Sequence, residues 1–446
     1  MKQNEALAIL KSGKNVFLTG EAGSGKTYTI NQYLEHLRAE GIGFAITAST
    51  GIAATHVGGS TIHSWSGIGV KRDITDEWIK DKLYNDPFLN ARLNGVSVLI
   101  IDEISMIDAQ TLDNVEAIVK EARPRKTASG LYAMGRDHWG GLQVIFVGDF
   151  YQLPPVVKGS GRPRYAFEAR SWSSAEPVVC YLTEQHRQAD AEYYEILQAI
   201  RNGEIQEKHK KRLYQCLQPQ GYVPQTRLFT HNFDVDRIND EKLAELEGEE
   251  HEFIMIEEGF AKSEKANAFL IDTLKRGCLS PERLRLKIGA RVMFTRNKYE
   301  EETRERMWVN GTIGEVIGFD EDNGRPVVKT VDGDVWTPEL QEWSLQENDG
   351  QLRARIRQIP LKLAWAVTVH KSQGMTLDEA TVDLSKAFAY GQGYVALSRV
   401  RSLKGLFIEG RLDKKAFAMD PRVAERDNFF RYQSSENVKI YAGKEI

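Results

Sequence analysis

The octapeptide GEAGSGKT, from Gly20 to Thr27, constrains the fold of this 446-residue chain more than any other feature. Two glycines around four residues, followed by Lys and a hydroxyl residue, form a phosphate-binding loop when a strand precedes them and a helix follows. Val16-Phe17-Leu18 supply the strand, and Ile30, Leu34 and Leu37 recur at helical spacing. A chance glycine-rich turn is the alternative, and this context weighs against it. The motif predicts an α/β core that binds a nucleoside triphosphate.

Each position of this loop has an expected role. The backbone N–H groups cradle the α- and β-phosphates, Lys26 reaches the β- and γ-phosphates, and the Thr27 hydroxyl binds Mg²⁺. The helix that follows points its dipole at the phosphates. The predicted nucleotide-binding residues of the loop are Gly20, Ala22, Gly23, Ser24, Gly25, Lys26, Thr27 and Tyr28.

Composition excludes several classes of protein. The net charge of −4 gives no global attraction to nucleic acid, so any nucleic-acid site must be a local groove. The three cysteines, Cys180, Cys216 and Cys278, show no ligand spacing and predict neither a disulfide framework nor a zinc site. The first residues lack a signal-peptide core, and no apolar run approaches a membrane span. We therefore expect a cytoplasmic protein without a membrane partner.

Apolar strand-like runs alternate with helical patterns, which indicates parallel sheets with helices on both faces. One helix, with Leu112, Val115, Ile118 and Val119 on a single face, lies among the first set of strands. Two sets of strands predict two α/β cores. The first set is Asn15–Leu18, Phe44–Ala48, Val96–Ile101, Leu142–Val147 and Pro177–Leu182; the second is Thr226–Phe229, Lys362–Val369, Ala380–Leu384 and Gly405–Ile408.

The region between the halves of the second core has a different pattern. Short strands with Gly, Asp and Asn turns predict a small antiparallel β-barrel at residues 289–345. The acidic stretch Asp240–Glu258 is expected to be a solvated face or loop. The expected division is residues 1–175 for the first core, 176–288 and 346–446 for the second, and 289–345 for the insertion.

Two further segments indicate hydrolysis as well as binding. The apolar run Val96–Ile101 ends in two carboxylates, where Asp102 can hold the Mg²⁺ shell and Glu103 can polarise the attacking water. A strand that meets a helix N-cap is the alternative. Gln152 follows the next strand and can sense the γ-phosphate by hydrogen bonding. Taken alone, its segment could be a turn that Pro154-Pro155 ends.

Seven segments in order resemble the Pif-one (petite integration frequency) family of superfamily 1 DNA helicases, which is related to RecD. The resemblance runs essentially end to end and implies two RecA-like cores and a 5′-to-3′ ATP-dependent DNA helicase that uses Mg²⁺. It also implies single-stranded and tailed or forked duplex DNA as partners, G-quadruplexes as a further candidate, and a monomeric core in a bacterial or phage setting. The segments are GEAGSGKT, STGIAATHVGGSTIHSW (Ser49–Trp65), IDEISM (Ile101–Met106), FVGDFYQLPPV (Phe146–Val156), LTEQHRQ (Leu182–Gln188), AVTVHKSQGMTLD (Ala366–Asp378) and YVALSRVRSLKGL (Tyr394–Leu406).

The resemblance also assigns nucleotide-contacting residues outside the loop. Arg399 and Arg187 would reach the γ-phosphate as arginine fingers across the cleft between the cores. A surface ion pair is the alternative for either arginine alone. Gln3 would read the adenine edge, because a side-chain amide offers both a donor and an acceptor.

The DNA track implied by the resemblance grips phosphates with short polar groups, while Trp or His stacks on a base. Two alternatives stay open: Trp65 belongs to the core, or the HKSQG segment is a polar loop that serves the ATP site. A wedge that separates the strands is expected at about residues 67–86. The DNA-binding candidates are Thr50, Gly51, Thr61, His63, Ser64, Trp65, Pro155 and Val156 in the first core, Arg296, Asn297, Asn310 and Gly311 in the insertion, and His370, Lys371, Ser372 and Gln373 in the second core.

Two other functions remain open at this point. One is a RecD-like motor that works only within a nuclease complex. The other is a nucleotide-switched regulatory or scaffold protein that binds partners without translocating. Strong stimulation of hydrolysis by single-stranded DNA, with affinity that falls as salt rises, would distinguish a helicase from the switch.

Overall fold

The computed structural model describes residues 1–69, 71–123, 137–156, 162–185, 190–217, 226–229, 233–261, 263–299, 306–346, 352–369, 372, 377–385, 389–410 and 414–441. The chain forms two compact units. The first comprises Met1–Gln188 with Met419–Ile446, and the second comprises Ala189–Ala418. Within the described residues, no helix is both long and apolar enough to cross a membrane.

A six-stranded sheet organises the first unit, in the order β3-β2-β4-β5-β1-β6. Every pairing in it is parallel, as the sequence predicts. Because β1 lies between β5 and β6, all five of its residues are buried. The strands are β1 (Val16–Gly20), β2 (Phe44–Ala48), β3 (Ser60–Thr61), β4 (Val98–Asp102), β5 (Gln143–Val147) and β6 (Val178–Leu182).

Helices connect these strands as expected for a parallel sheet. The longest apolar stripe is on α7, where the predicted face is buried and the Asp108 carboxylate caps the N-terminus by accepting the Thr111 N–H. The helices are α1 (Gln3–Lys11), α2 (Lys26–Ala39), α3 (Gly51–His56), α4 (Ile62–Trp65), α5 (Asp76–Asn85), α6 (Pro87–Asn94), α7 (Ala109–Ala122) and α8 (Arg170–Ala175).

The second unit contains a four-stranded parallel sheet, β20-β7-β21-β22, which confirms a second α/β core. Its strands are β7 (Arg227–Phe229), β20 (Ala366–Thr368), β21 (Ala380–Asp383) and β22 (Leu406–Glu409). The predicted strand Lys362–Val369 divides, because its first part joins a different sheet. The helices of this unit are α9 (Ala191–Arg201), α10 (Glu207–Tyr214), α11 (Phe233–Glu245), α12 (Glu264–Gly277) and α13 (Gln392–Leu397).

Antiparallel strands lie between β7 and β20 in the chain. The five-stranded sheet β16-β15-β14-β11-β19 is open in its described strands, so the predicted closed β-barrel is not confirmed. The other small sheets are β10-β8, β12-β13 and β17-β18-β9. The strands are β8 (His251–Ile254), β9 (Ile256–Gly259), β10 (Arg283–Leu286), β11 (Arg291–Phe294), β12 (Lys298–Tyr299), β13 (Arg306–Trp308), β14 (Ile313–Phe319), β15 (Pro326–Thr330), β16 (Val335–Trp336), β17 (Gln341–Gln346), β18 (Leu352–Gln358) and β19 (Leu361–Leu363).

The acidic stretch Asp240–Glu258 is not a loop but a largely exposed face of regular structure, which is one of the two alternatives predicted for it. It contains the end of α11 and the strands β8 and β9. Arginines on neighbouring strands pair with its carboxylates: Arg283 binds Glu252, and both Arg355 and Arg357 bind Glu258. Such pairs let an acidic strand lie in a sheet without like charges opposed across it.

The predicted boundary at residue 175 also differs from the structure. The strand β6 pairs with β1 from Val16↔Val178 to Gly20↔Leu182, so it belongs to the first sheet. A last helix, α14 (Pro421–Tyr441), packs on β6 and also belongs to the first unit. The Tyr181 N–H donates to the Ser434 hydroxyl at 2.9 Å, which fixes this helix on the strand.

Candidate nucleotide and nucleic-acid site

The phosphate loop joins β1 to α2 at the carboxyl edge of the sheet. Gly25 is the N-cap of α2 and has a φ of 87°, a left-handed conformation that favours glycine. No side chain caps the helix, and its first turn carries no acidic residue. A helix start without a side-chain cap or an acidic residue suits an anion, which the helix dipole also favours.

Lys26 lies over this loop. Its Nζ donates to the carbonyl oxygens of Gly20 at 2.8 Å and Glu21 at 2.9 Å. At Gly20, a Cβ atom would lie 2.7 Å from both the Leu182 carbonyl oxygen and the Ser24 hydroxyl. Only glycine fits at this position, because the loop passes close to the end of β6. The contact with β6 therefore fixes the position of the loop, whose carbonyls hold the Lys26 ammonium.

Residues at the start of α1 and directly after β6 lie where the adenine base is predicted to bind. Gln3, the predicted adenine reader, donates from its amide to the Ser24 carbonyl at 3.3 Å. Its backbone N–H donates to the Glu184 carboxylate at 2.8 Å, and the Gln185 amide donates to the Ala22 carbonyl at 3.0 Å. Residue-type reasoning missed Glu184 and Gln185, although both lie in the LTEQHRQ segment directly after a strand end.

Tyr28 also belongs to the predicted nucleotide site. It lies in the first turn of α2 and is 59% exposed, which is unusual for an aromatic side chain of this size. Its ring is open to solvent close to the loop, so a flat ligand can reach it.

The two predicted acidic residues close β4. Asp102 is the last residue of the strand, and Glu103 follows in a left-handed conformation with a φ of 50°. The Glu103 N–H donates to Asp102 Oδ1 at 2.8 Å. Burial raises the pKa of Asp102, while this N–H and the Lys26 ammonium act in the opposite direction. The carboxylate thus lies within electrostatic reach of the loop lysine.

Gln152 follows the neighbouring strand β5. It is 7% exposed, and its N–H donates to the Asp149 carbonyl at 2.9 Å. Its segment begins at Gly148, where a Cβ atom would lie 3.1 Å from the backbone nitrogen of Ile104. The β5 end therefore passes directly against the residues that follow Glu103, and both segments share one edge of the sheet.

The oxygen donors at this edge suit Mg²⁺. Thr27 offers a hydroxyl and Asp102 a carboxylate, which are the hard oxygen ligands this ion takes while it keeps several waters and phosphate oxygens. Over the described ranges, no group of three or more His, Cys, Asp and Glu forms a metal site. The arrangement fits an ion held together with a nucleotide.

Arg399 follows α13 in the second unit. It is 2% exposed, with Nε donating to the Val395 carbonyl at 3.0 Å and Nη2 to the Ser398 hydroxyl at 2.9 Å. The guanidinium is thus held against the end of its own helix, where the helix dipole favours a cation. Arg187, the other predicted finger, lies outside the described residues.

The predicted DNA segment of the first unit is a pair of short helix starts. Thr50 Oγ1 accepts the Ala53 N–H at 3.2 Å where α3 begins at Gly51. Thr61 Oγ1 accepts the Ser64 N–H at 3.2 Å and caps α4. Both hydroxyls are half-buried and both hold the backbone of their own helix.

Arg92 binds the C-terminal end of the second of these helices, α4, by donating to the carbonyls of Ser64 at 3.1 Å and Trp65 at 3.0 Å. His63 is half-buried; burial lowers its pKa, and the nearby Asp108 carboxylate acts against that shift. The imidazole is therefore mainly neutral near pH 7.

Three of the predicted DNA contacts in this structure do not present an accessible side chain. Trp65 is 4% exposed, so its ring packs in the core, which is the alternative that the sequence left open for it. Pro155 is buried, whereas its neighbour Val156 is 67% exposed. Ser372 is fully buried, and its hydroxyl, which was predicted to contact a phosphate, donates to the Val369 carbonyl at 2.8 Å. His370, Lys371 and Gln373 lie outside the described residues.

The four candidates of the insertion lie at the end of β11 and the turn before β14. Arg296 bonds the Glu342 carbonyl and lies 5.2 Å from the Trp343 ring centroid. Asn297 Oδ1 accepts the Asn310 N–H at 2.8 Å. Gly311 has a φ of 98° and donates its N–H to Phe294. These contacts form one polar turn, which the sequence placed together only through the family resemblance.

The expected wedge, residues 67–86, is a loop followed by α5. The Asn114 amide on α7 donates to the Arg72 carbonyl at 2.6 Å, and the Lys71 ammonium lies 4.8 Å from the Trp78 ring centroid. Tyr84 near the end of α5 is 85% exposed, and Phe88 in α6 is 70% exposed. This surface therefore displays aromatic side chains on a helical support; Val70 lies outside the described residues.

Comparison with known proteins gives a consistent match. The family model for PIF1-like helicases matches residues 3–211. An ATP-dependent DNA helicase Pif1 from Psychrobacter is 41% identical, over 98% of this chain and 72% of that protein. The chain spans 61% of the length of a similar human protein, which is 39% identical.

Solved structures give the same result. A Pif1 from Bacteroides, in complex with ADP-AlF4, matches 98% of this chain and 97% of its own at 27% identity and a TM-score of 0.79. A Bacteroides Pif1 bound to single-stranded DNA matches 98% of each chain at 28% identity, with a TM-score of 0.58. Proteins that match this chain over nearly its whole length have therefore been solved with ADP-AlF4 and with single-stranded DNA.

Proposed function

The chain belongs to the Pif1 family of ATP-dependent DNA helicases, and we propose that it moves 5′ to 3′ along single-stranded DNA and separates duplex or structured DNA ahead of it. The observation that carries this proposal is the edge of the first sheet, where Lys26, the uncapped start of α2 and Asp102 lie within electrostatic reach of one another. Roles in DNA replication, repair, recombination and telomere maintenance are typical of the family.

At this edge, Lys26 would exchange its two loop carbonyls for the β- and γ-phosphate oxygens of ATP. Thr27 and Asp102 would hold Mg²⁺, which neutralises charge on the transferred phosphoryl group. Glu103 would orient the attacking water, and Gln152 would contact the γ-phosphate from the end of β5. Gln3, held against Ser24, would bond the adenine edge.

The first unit would bind the DNA backbone through the two helix starts at Thr50-Gly51 and Thr61–Ser64, and the exposed Val156 keeps its predicted role as a DNA contact. Free N–H groups and hydroxyls at such turns bind phosphates without reading sequence. The turn that contains Arg296, Asn297 and Asn310 would provide a second surface, because a guanidinium on an aromatic ring also suits a base. His370, Lys371 and Gln373 keep their predicted role as phosphate contacts.

Arg399 and Arg187 keep their predicted role as γ-phosphate ligands. For Arg399 this requires that the guanidinium leave Val395 and Ser398. A bound nucleotide would supply the charge that makes this exchange favourable, so hydrolysis would return the arginine to its helix. A cation that changes its partners in this way would couple the presence of the γ-phosphate to a conformational change.

The test is ATP-driven strand separation of two matched duplexes, one with a 5′ single-stranded tail and one with a 3′ tail. Opening of the 5′-tailed duplex alone supports both the motor and its polarity. Opening of the 3′-tailed duplex alone overturns the polarity. If neither opens although ATP is hydrolysed, the motor that needs a partner or the nucleotide-switched scaffold is the better account, and stimulation of hydrolysis by single-stranded DNA then separates those two.

A further inference from the structure

A cation from the far end of the chain lies against the phosphate loop. Arg431, in α14, has Nη2 3.6 Å from the Oε1 of Glu21, the second residue of the loop. The Glu21 side chain is only 14% exposed, and the Glu21 carbonyl is one of the two oxygens that hold the Lys26 ammonium. The same residue therefore meets Lys26 through its backbone and Arg431 through its side chain.

Arg431 is itself held in place. Its Nε donates to Asp427 Oδ2 at 2.8 Å, and its guanidinium carbon lies 4.3 Å from the centroid of the Tyr181 ring. The Tyr181 hydroxyl donates to the same Asp427 carboxylate at 3.3 Å, and the Tyr181 backbone is bonded to Ser434. Since Tyr181 pairs with Thr19 in the sheet, the arginine is anchored on the strand beside the one that leads into the loop.

The charge on Glu21 is unfavourable for the function of the loop. A carboxylate at the second loop position lies within a Debye length of any triphosphate bound there, and like charges at that distance repel. Aromatic contact and a carboxylate partner pre-orient the guanidinium, so it is placed to offset that charge.

We propose that Arg431 is a positioning residue for nucleotide binding: it holds the Glu21 carboxylate against α14 and compensates its charge. This inference rests on the proposed role of the phosphate loop. It assigns to α14 a function in the ATP site that the motifs do not contain. Arg431 acts through Glu21 and not by contact with the nucleotide, and the experiment separates these two modes.

The experiment measures KM for ATP and kcat of DNA-stimulated hydrolysis in the full chain. Arg431→Gln should raise KM about two- to fivefold, the range a partly exposed ion pair supports, with little change in kcat. In the double variant with Glu21→Gln, KM should return to within twofold of the original value, because no carboxylate is left to compensate. Arg431→Lys should keep KM close to the original value.

Matched controls keep the outcome specific. Arg422→Gln removes a cation from the same helix that pairs with Asp420 and Glu168, and it should leave KM unchanged. Glu21→Gln alone should not raise KM, and this holds as a test even if Arg431→Gln does not fold. An unchanged KM in a folded Arg431→Gln variant would overturn the proposal, as would an equal rise in KM for the double variant. Lys26→Ala distinguishes a failure of the proposed function from a failure of the Arg431 proposal. If this variant keeps normal turnover, the proposed role of the phosphate loop is wrong, whatever the Arg431 variants show.

Discussion

Lys26 and Arg399, two cations for which we propose a role in the nucleotide chemistry, lie at opposite ends of helices. The Lys26 ammonium lies on two loop carbonyls at the N-terminus of α2, which has no side-chain cap and where the helix dipole favours an anion. The Arg399 guanidinium lies on a carbonyl and a hydroxyl at the C-terminal end of α13, where the helix itself stabilises the cation. Lys26 is therefore placed where the phosphate binds, whereas Arg399 must give up a favourable resting position before it can act.

The substitution with the largest expected effect on this comparison is Lys26→Ala. Without the ammonium, the loop keeps its shape but has no cation for the β- and γ-phosphates, so ATP hydrolysis should fall to background. DNA binding should stay measurable, because the predicted DNA contacts do not include this residue. Turnover is measured with saturating single-stranded DNA, and normal turnover would contradict the assignment of the loop.

Arg399→Ala should lower kcat on the order of 10³-fold, the smallest effect usual for an arginine finger, while nucleotide still binds. Binding is measured by equilibrium titration with a fluorescent ATP analogue, separately from turnover. A matched variant, Arg401→Ala, removes a neighbouring cation that pairs with Asp378 on the surface and should keep kcat. Unchanged kcat for Arg399→Ala would show that the guanidinium never leaves α13.

Gly25→Ala tests the other half of the comparison, the uncapped start of α2. A φ of 87° costs a residue with a Cβ about 1–2 kcal/mol, so the variant should be less stable and should also have a higher KM for ATP. Gly13→Ala is the matched control, because Gly13 has a φ of 76° with open space around it and lies away from the loop. Unfolding in urea should show similar losses for both, and only Gly25→Ala should change KM. A KM rise in both variants would mean that lowered stability, and not the loop, sets the affinity.

The sequence predicts much of this site because most of it is set by backbone geometry. The parallel sheet, the loop and the strand-end carboxylates follow from local patterns, and each was found at its predicted position. The motifs alone could not settle whether Trp65 and Ser372 are buried, because a motif specifies a residue type, whereas burial depends on distant neighbours. Glu184, Gln185 and Arg431 were missed for the same reason, since the partner of each, Gln3 for Glu184 and the phosphate loop for the other two, lies more than 150 positions away in the chain.

The supposed barrel and the acidic stretch show a second limit. Short strands with turn residues predict antiparallel pairing, but sheet closure depends on which edges meet, and local pattern does not encode that. Asp240–Glu258 is solvated, as one of the two predicted alternatives has it, but its strand pairing was not predicted, because partners such as Arg355 and Arg357 lie about 100 residues away in the chain. Composition alone does not reveal that the acidic residues of a strand pair with arginines on the neighbouring strands.

The smallest predicted effect concerns the hydroxyl that holds Arg399. Ser398→Ala removes one of its resting hydrogen bonds, which should raise kcat about two- to fivefold, because less must be broken before the guanidinium reaches the phosphate. In the Arg399→Ala background the same substitution should have no effect, and this double variant is the control. A fall in kcat for Ser398→Ala would instead mean that the hydroxyl orients Arg399 in its working position. Arg399 would then, like Lys26, already be in place to act, and the proposed difference between the two cations would be wrong.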